Sequence, residues 1–446
     1  MTLTPDDDLN ETARQRTRDQ IALLRQAYGG DIIVDSDDDA DFTFVCSSRH
    51  VLVNAADVAE VEGYFSEDRN GVFDPEQPGR LDDDENQPRD GLVMRYIVPA
   101  RLERARGDKG LLLTLDELDR DARPDLAVPD HVVHICRPIG SQCPATEPTE
   151  TGRTEPWPKK VTGNVGKGVT VVVIDTGWYA PQPLPWDHLG SVGGEPELAG
   201  VFGGPNLDEI RPYAGHGTFV AGVVRSMAPE CSVYVLSLQV DAQVPGGGVF
   251  ESDMVRQLDA SLSHHPDLIN LSAGCPTRNN RPARAFENWW NDVRARANPP
   301  LMVAAAGNNS SPWGFWPASS DWAVGVGSLD RDGTVSDFSN WGDSVDVYAL
   351  GRNLINAFPR GKYLCREAPD RGDWRQFVND YARWSGTSFS APLVTGLIAA
   401  AMSPQGQVVM DAEQAKAAVL GMPPTKLSLT MREVPVVRGD LFVPQL

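Results

Sequence analysis

Long hydrophobic runs are missing from these 446 residues. Nothing approaches the roughly 18–20 consecutive apolar residues that a membrane-spanning helix requires. Excess positive charge is missing too: 40 Lys and Arg face 62 Asp and Glu, a net charge of −22. That balance repels phosphate backbones and anionic lipid surfaces, so neither nucleic acid nor a membrane is expected as a partner. Cysteine is sparse, six in all, and no CxxC pair suggests zinc. Cys136 and Cys143 are near enough in sequence to pair in an oxidising compartment. The stretch Met1–Asp8 is acidic, however, and leads into no apolar core of the secretory kind. Reduced thiols and a cytoplasmic location are therefore the expectation.

Metal patterns are incomplete as well. Asp35, Asp37, Asp39 and Asp41 are spaced like the opening of an EF-hand, but Ala40 stands where glycine is needed and Cys46 where the closing glutamate belongs. A solvated acidic loop is the better reading, as it is for Asp82-Asp83-Asp84. His264-His265 has no second ligand cluster and reads as structural.

What is present is a nucleophile's setting. Trp384-Ser385-Gly386-Thr387-Ser388-Phe389-Ser390-Ala391-Pro392 puts Ser388 at the mouth of a helix whose continuation, Leu393 to Ala401, is small and apolar. Pro392 is tolerable in the first turn, where N–H groups have no intrahelical partner. The same free donors and the helix dipole suit a group beside which negative charge develops. Val169 to Ile174 is a β-branched run readable as a strand buried on both faces, and it ends in Asp175-Thr176-Gly177. Gly215-His216-Gly217-Thr218 opens another small-residue helix. Serine needs a base to take its proton, histidine is the natural one, and a buried carboxylate fixes its tautomer. Taken singly, Asp175 is more often a strand-end turn and His216 a structural histidine; together with Ser388 they point to nucleophilic catalysis.

Asp175-Thr176-Gly177, His216-Gly217-Thr218 and Gly386-Thr387-Ser388, in that order, resemble the subtilisin-like serine peptidases, the subtilases (family S8). Val303 to Asn308 resembles the family's oxyanion segment, Trp316-Pro317-Ala318 with Ala323 to Gly327 the stretch after it, and Asp337 to Gly342 is also family-like. The likeness covers roughly residues 157 to 420. It implies a proteolytic hydrolase using Asp175, His216 and Ser388 as a catalytic triad, with Asn308 and the Ser388 N–H forming the oxyanion hole. Such donors are worth roughly 3–4 kcal/mol in the transition state, a figure that comes from subtilisin itself. It further implies a specificity pocket walled by Ser272, Ala273 and Gly274 on one side and Ala305, Ala306 and Gly307 on the other. Gly247 and Gly248 would form a facing edge, so that a protein or peptide substrate is held as an added β-strand. The family's calcium loop is absent, because Ser226 to Pro229 runs straight into Val233 to Leu236. No metal or other cofactor is expected, and a weak calcium site elsewhere stays open.

Strand candidates at 169–174, 232–238, 267–272, 301–305 and 323–327 alternate with helices near 216–227, 249–263, 281–297 and 387–402. This is the pattern of an α/β fold with a doubly wound, mostly parallel sheet, whose sites lie at the carboxyl ends of the strands. The expected organisation is a smaller α+β domain over 1–142, a linker over 143–158 and the catalytic domain over 159–446. In the first domain Ile21, Leu24 and Tyr28 share a helical face closed by Gly29-Gly30. Short strands are read at 32–34, 42–45, 51–53, 94–98 and 132–135, and Thr114 with Glu117 offers a capping box. This domain is either a removable propeptide or a permanent regulatory domain that binds a protein partner. A regulated cytosolic processing protease is one reading of the whole. A silent or partner-gated scaffold on the same fold is the other. The segment 352–383, longer than a minimal subtilase needs, is a lid, a substrate wall or a decoration.

Overall fold

The computed structural model describes residues 5–66, 93–97, 109–134, 146–151, the pairs 425–426, 433–434 and 436–437, and 163–421 apart from 182, 198–199, 205–206 and 239–247. Its first part contains α1 (Pro5–Tyr28), β1 (Ile32–Val34), β2 (Val45–Asn54), α2 (Val58–Ser66), β3 (Val93–Ile97), α3 (Gly110–Asp121) and β4 (Ala127–His134). Strand β2 pairs antiparallel with β1, β3 and β4. The two short strands expected at 42–45 and 51–53 are replaced by this single ten-residue strand. Its polar middle, Ser47 to His50, is taken up by a register shift against β4 between Cys46 and Val51. Helix α3 begins a turn before the expected capping box, because Leu111, Leu115 and Leu118 form one buried face at i, i+4, i+7. Thr114 lies inside it and donates its hydroxyl to the Gly110 carbonyl at 2.8 Å. These leucines pack with Val51, Val53 and Val61 into a core of their own, each burial contributing about 1.5–3 kcal/mol.

The larger part follows β5 (Thr149–Glu150) and consists of β6 (Thr170–Asp175), β7 (Val192–Gly194), β8 (Phe202–Gly203), β9 (Glu209–Ile210), α4 (His216–Met227), β10 (Ser232–Ser237), β11 (Gly248–Phe250), α5 (Glu251–Ser261), β12 (Leu268–Leu271), α6 (Arg284–Val293), β13 (Leu301–Ala305), β14 (Ala323–Leu329), β15 (Val347–Leu350), β16 (Leu354–Ala357), β17 (Gly361–Leu364), β18 (Trp374–Phe377), β19 (Tyr381–Trp384), α7 (Thr387–Met402) and α8 (Ala412–Leu420). Seven of these strands form a parallel sheet in the order β15-β14-β13-β12-β6-β10-β7, and the pair Val436–Val437 lies parallel on the β15 edge. The central strands are buried along their length, as their unbroken apolar runs require. Phe286, Trp289 and Val293 of α6 point into the core.

The two parts share a sheet. Strand β11 of the larger part pairs antiparallel with β4, Gly248 opposite His134 and Phe250 opposite Val132. Phe250 also joins Ile21, Leu24, Phe42 and Val132 in one apolar cluster. The segment 352–383 is no loose decoration: it places Tyr363 of β17 and the following Cys365 in the main core, and it is the seat of α1. Arg16 Nε donates to Glu367 at 2.8 Å with both side chains almost fully buried. Asp19 accepts from Arg371 at 2.5 Å and from the Ala368 N–H at 3.1 Å. Thr149–Glu150, within the stretch expected as an exposed linker, is a strand on β19. Its neighbour Glu147 is buried against the same segment, accepting from Tyr363 and the Arg366 N–H. Burial, and then the Glu367 charge, push the Glu147 carboxyl up to about 7. The paired thiols considered at Cys136 and Cys143 lie outside the described residues; Cys46, Cys231, Cys275 and Cys365 are buried and in no disulfide. Among the described residues no group of three or more His, Cys, Asp or Glu could hold a metal. The acidic loop at 35–41 is ion-paired rather than simply solvated, through Arg14, Arg25 and Lys109.

Candidate active site

The carboxyl edge of the parallel sheet is where the singled-out residues meet. Asp175 is the last residue of β6 and His216 the first of α4. Gly215, which precedes the histidine, has φ +87°, and a side chain there would meet Pro359, so only glycine lets the chain enter α4 at this angle. His216 Nδ1 lies 2.7 Å from Asp175 Oδ1 with both side chains fully buried. Asp175 Oδ1 also accepts from the Thr176 N–H at 2.7 Å. The imidazole sits edge-on to Trp384 and tilted on Phe389, ring centroids 5.2 Å away in each case. Those two aromatics flank the first turn of α7, so His216 packs against Phe389, the residue that follows Ser388.

Ser388 is buried in that first turn. Its hydroxyl is 3.5 Å from the Ser272 carbonyl, and the Ser272 hydroxyl donates to the Ser388 carbonyl at 2.8 Å. The far wall is tied to the same turn. Asn308 accepts at Oδ1 from the Thr387 N–H at 2.6 Å, and the Gly307 N–H donates to Thr387 Oγ1 at 3.2 Å. With its oxygen taken up by a backbone donor, the Asn308 amide has its NH2 for another acceptor. Ala305, Ala306 and Gly307 continue directly from β13, and Ser272, Ala273 and Gly274 from β12, its parallel neighbour. The two walls thus stand side by side because their strands do.

Two side chains complete this edge: Asn340, within the family-like segment Asp337 to Gly342 but given no role there, and Glu197, which no motif contained. Asn340 clamps the Asn308 loop, donating to the Ala306 carbonyl at 2.8 Å and accepting from the Asn309 N–H at 2.8 Å. Glu197 accepts from the Gly215 N–H at 2.6 Å and from Thr176 Oγ1 at 3.1 Å. It thereby braces both the residue before His216 and the one after Asp175. Burial, with the nearby Asp175 charge adding to it, pushes the Glu197 carboxyl up to about 8. No motif announced Glu197, since it lies in an irregular loop.

The facing edge is occupied. Gly247 lies outside the described residues, but Gly248 is paired with His134, and His134 exchanges both backbone hydrogen bonds with Gly274, at 2.9 and 3.0 Å. The end of β4 therefore runs as an antiparallel strand between the two edges expected to hold a substrate. Asp130 of the same strand accepts from the Ser252 N–H at 3.1 Å and its hydroxyl at 2.7 Å, at the start of α5. His131 is held between Glu251, 3.1 Å away, and the Arg278 N–H, which donates to Nε2 at 3.0 Å.

The carboxyl edge of the parallel sheet thus carries a buried carboxylate–imidazole pair, packed against the residue that follows a serine in the first turn of a helix. The family model described as the subtilase family matches residues 166–422, and the chain belongs to that family. It is 31% identical over 258 residues to a thermophilic serine proteinase of Bacillus sp. (strain AK1), covering 56% of this chain and 55% of that protein. To the major intracellular serine protease of Bacillus subtilis (strain 168) it is 28% identical over 259 residues, 55% of this chain and 70% of the relative. The chain thus spans about half the length of the first of these relatives. Among solved structures, that of the patellamide maturation protease PatA aligns over 64% of this chain and 97% of its own at 23% identity and a TM-score of 0.47.

Proposed function

We propose that the chain is a serine endopeptidase held shut by its own N-terminal domain. The observation that carries the activity is the buried Asp175–His216 pair, packed on the residue after Ser388, with Asn308 tied to the residue before it. In this reading Ser388 Oγ attacks the peptide carbonyl as His216 takes its proton. Asp175 holds the imidazole in the needed tautomer and steadies the imidazolium. Asn308 Nδ2 and the Ser388 N–H receive the oxyanion. His216 then protonates the leaving amine, and water hydrolyses the acyl-enzyme by the reverse sequence. Every step uses protein groups and water alone, so the reaction calls for no cofactor.

The substrate is a protein or peptide laid as a strand between Gly248 and Gly274, and the support for this is that β4 already uses those two partners. The same pairing favours an inhibitory N-terminal domain that must leave the cleft before a substrate enters. In this reading the division falls between His134 and Thr146, because Glu147 to Glu150 stay with the catalytic part through Tyr363 and β19. A cytosolic processing role is the biological setting we infer, supported by the buried thiols outside any disulfide and by the relative named as an intracellular protease.

Intact mass after exposure to a fluorophosphonate tests the activity. Expected is one adduct on the wild type and none on Ser388→Ala, which retains its fold. An adduct confined to a species that has lost the N-terminal domain identifies that domain as a propeptide; an adduct on the full chain makes it permanent. Labelling of Ser388→Ala at the wild-type rate, or none of either protein under any condition, sinks the peptidase reading in favour of a scaffold.

A further inference from the structure

The two pocket walls do not enclose an empty slot. A methyl group added at Gly274 would meet Cδ1 of Phe315 at 2.7 Å, with Cε1 nearer still. One added at Gly307 would meet Cγ of the same ring at 3.0 Å and Cδ2 at 3.1 Å. One edge of the ring therefore lies on the Gly274 backbone and the other on that of Gly307. Phe315 is 3% exposed, so the ring fills the gap between the walls rather than capping it from outside.

Its backbone is fixed on both sides. The Phe315 N–H donates to Ser319 Oγ at 2.8 Å, and its carbonyl accepts from the Ser319 N–H at 3.0 Å. The next residue, Trp316, exchanges backbone hydrogen bonds with Cys275 at 2.8 and 2.9 Å, which ties the segment to the wall that the ring touches. A large substrate side chain cannot enter without driving the ring out of packed surroundings, and such overpacking is costly in a close-packed interior. A glycine, alanine or serine side chain asks for little of that space.

Resting on the peptidase reading above, we propose that Phe315 is a specificity-determining residue that restricts cleavage to peptide bonds following a small residue. The ring does the selecting by volume, since no charged side chain stands in either wall.

The test is a tetrapeptide p-nitroanilide series that differs only in the residue before the scissile bond: glycine, alanine, leucine and phenylalanine. The full chain is used. Release of β4 limits every substrate equally, so ratios of kcat/KM do not depend on how many molecules are open. Expected is a preference for alanine over phenylalanine of about tenfold or more, reversed in Phe315→Ala. Phe315→Leu, gentler on folding, should bring the leucine and alanine substrates closer together. The inference is overturned if wild type cleaves after phenylalanine as readily as after alanine. Folded variants that keep the wild-type ratio overturn it equally. Fluorophosphonate labelling with no hydrolysis of any substrate also overturns it, whereas absence of labelling removes the peptidase reading on which it stands.

Discussion

Asp130→Ala should open the enzyme. Helix α5 is preceded by Phe250, whose side chain accepts no hydrogen bond from the first turn. Asp130, reaching across from β4, supplies the missing acceptor to the Ser252 N–H and hydroxyl. Loss of a capping side chain costs about 1 kcal/mol and up to about 2, and a charged acceptor places this case at the upper end. Two kcal/mol is roughly a 30-fold change in an equilibrium constant. The fraction of molecules with β4 out of the cleft should rise by about that factor, and the initial rate of fluorophosphonate labelling with it. Asp130→Asn keeps an acceptor oxygen but loses the charge facing the helix dipole, worth about 0.3–1 kcal/mol, so its rate should rise only a few-fold. Labelling time courses by intact mass, with thermal unfolding followed in parallel, give both numbers. If Asp130→Ala labels no faster than wild type while its melting is altered, the residue stabilises the first domain without latching it. The inhibitory reading then loses its main energetic support.

Two further outcomes concern the site itself. Asn308→Ala should lower kcat about 10²–10³-fold with little change in KM, the cost of removing one oxyanion donor in subtilisin; an equal loss through KM would make Asn308 a binding residue instead. Glu197 keeps a proton in the folded protein up to about pH 8, where an ordinary glutamate has lost it by about 4.5. The folded state therefore binds more protons across that window, and stability falls as pH rises through it. Glu197→Gln should flatten this slope, read as urea midpoints between pH 5 and 8. An unchanged slope would show that Glu197 is ionised in the fold.

Some of this was legible in the residues. The β-branched run ending at Asp175 reads as a strand buried on both faces, and it is β6, an interior strand of the sheet. The segments at His216 and Ser388 begin helices because their small residues permit close helix contact, and α4 lies against α7. Local patterns misjudged the first domain, where β2 absorbs a polar centre and α3 starts early to bury Leu111. There the outcome depended on which face found a partner, and a period along the chain does not record partners.

The sequence by itself determined the parallel sheet and the placing of Asp175 at a strand end and of His216 and Ser388 in first turns of helices, since each is written in a short run whose local conformation its own residues dictate. Tertiary structure alone decided three things. Glu197 braces the loops on either side of Asp175 and His216 from an irregular segment. The ring of Phe315 enters a slot between walls that begin some forty and some ten residues before it. His134 occupies the strand position between Gly248 and Gly274, more than a hundred residues further along the chain. Each is a contact between groups whose separation in sequence carries no local signal, so only the packing of the folded chain brings them together.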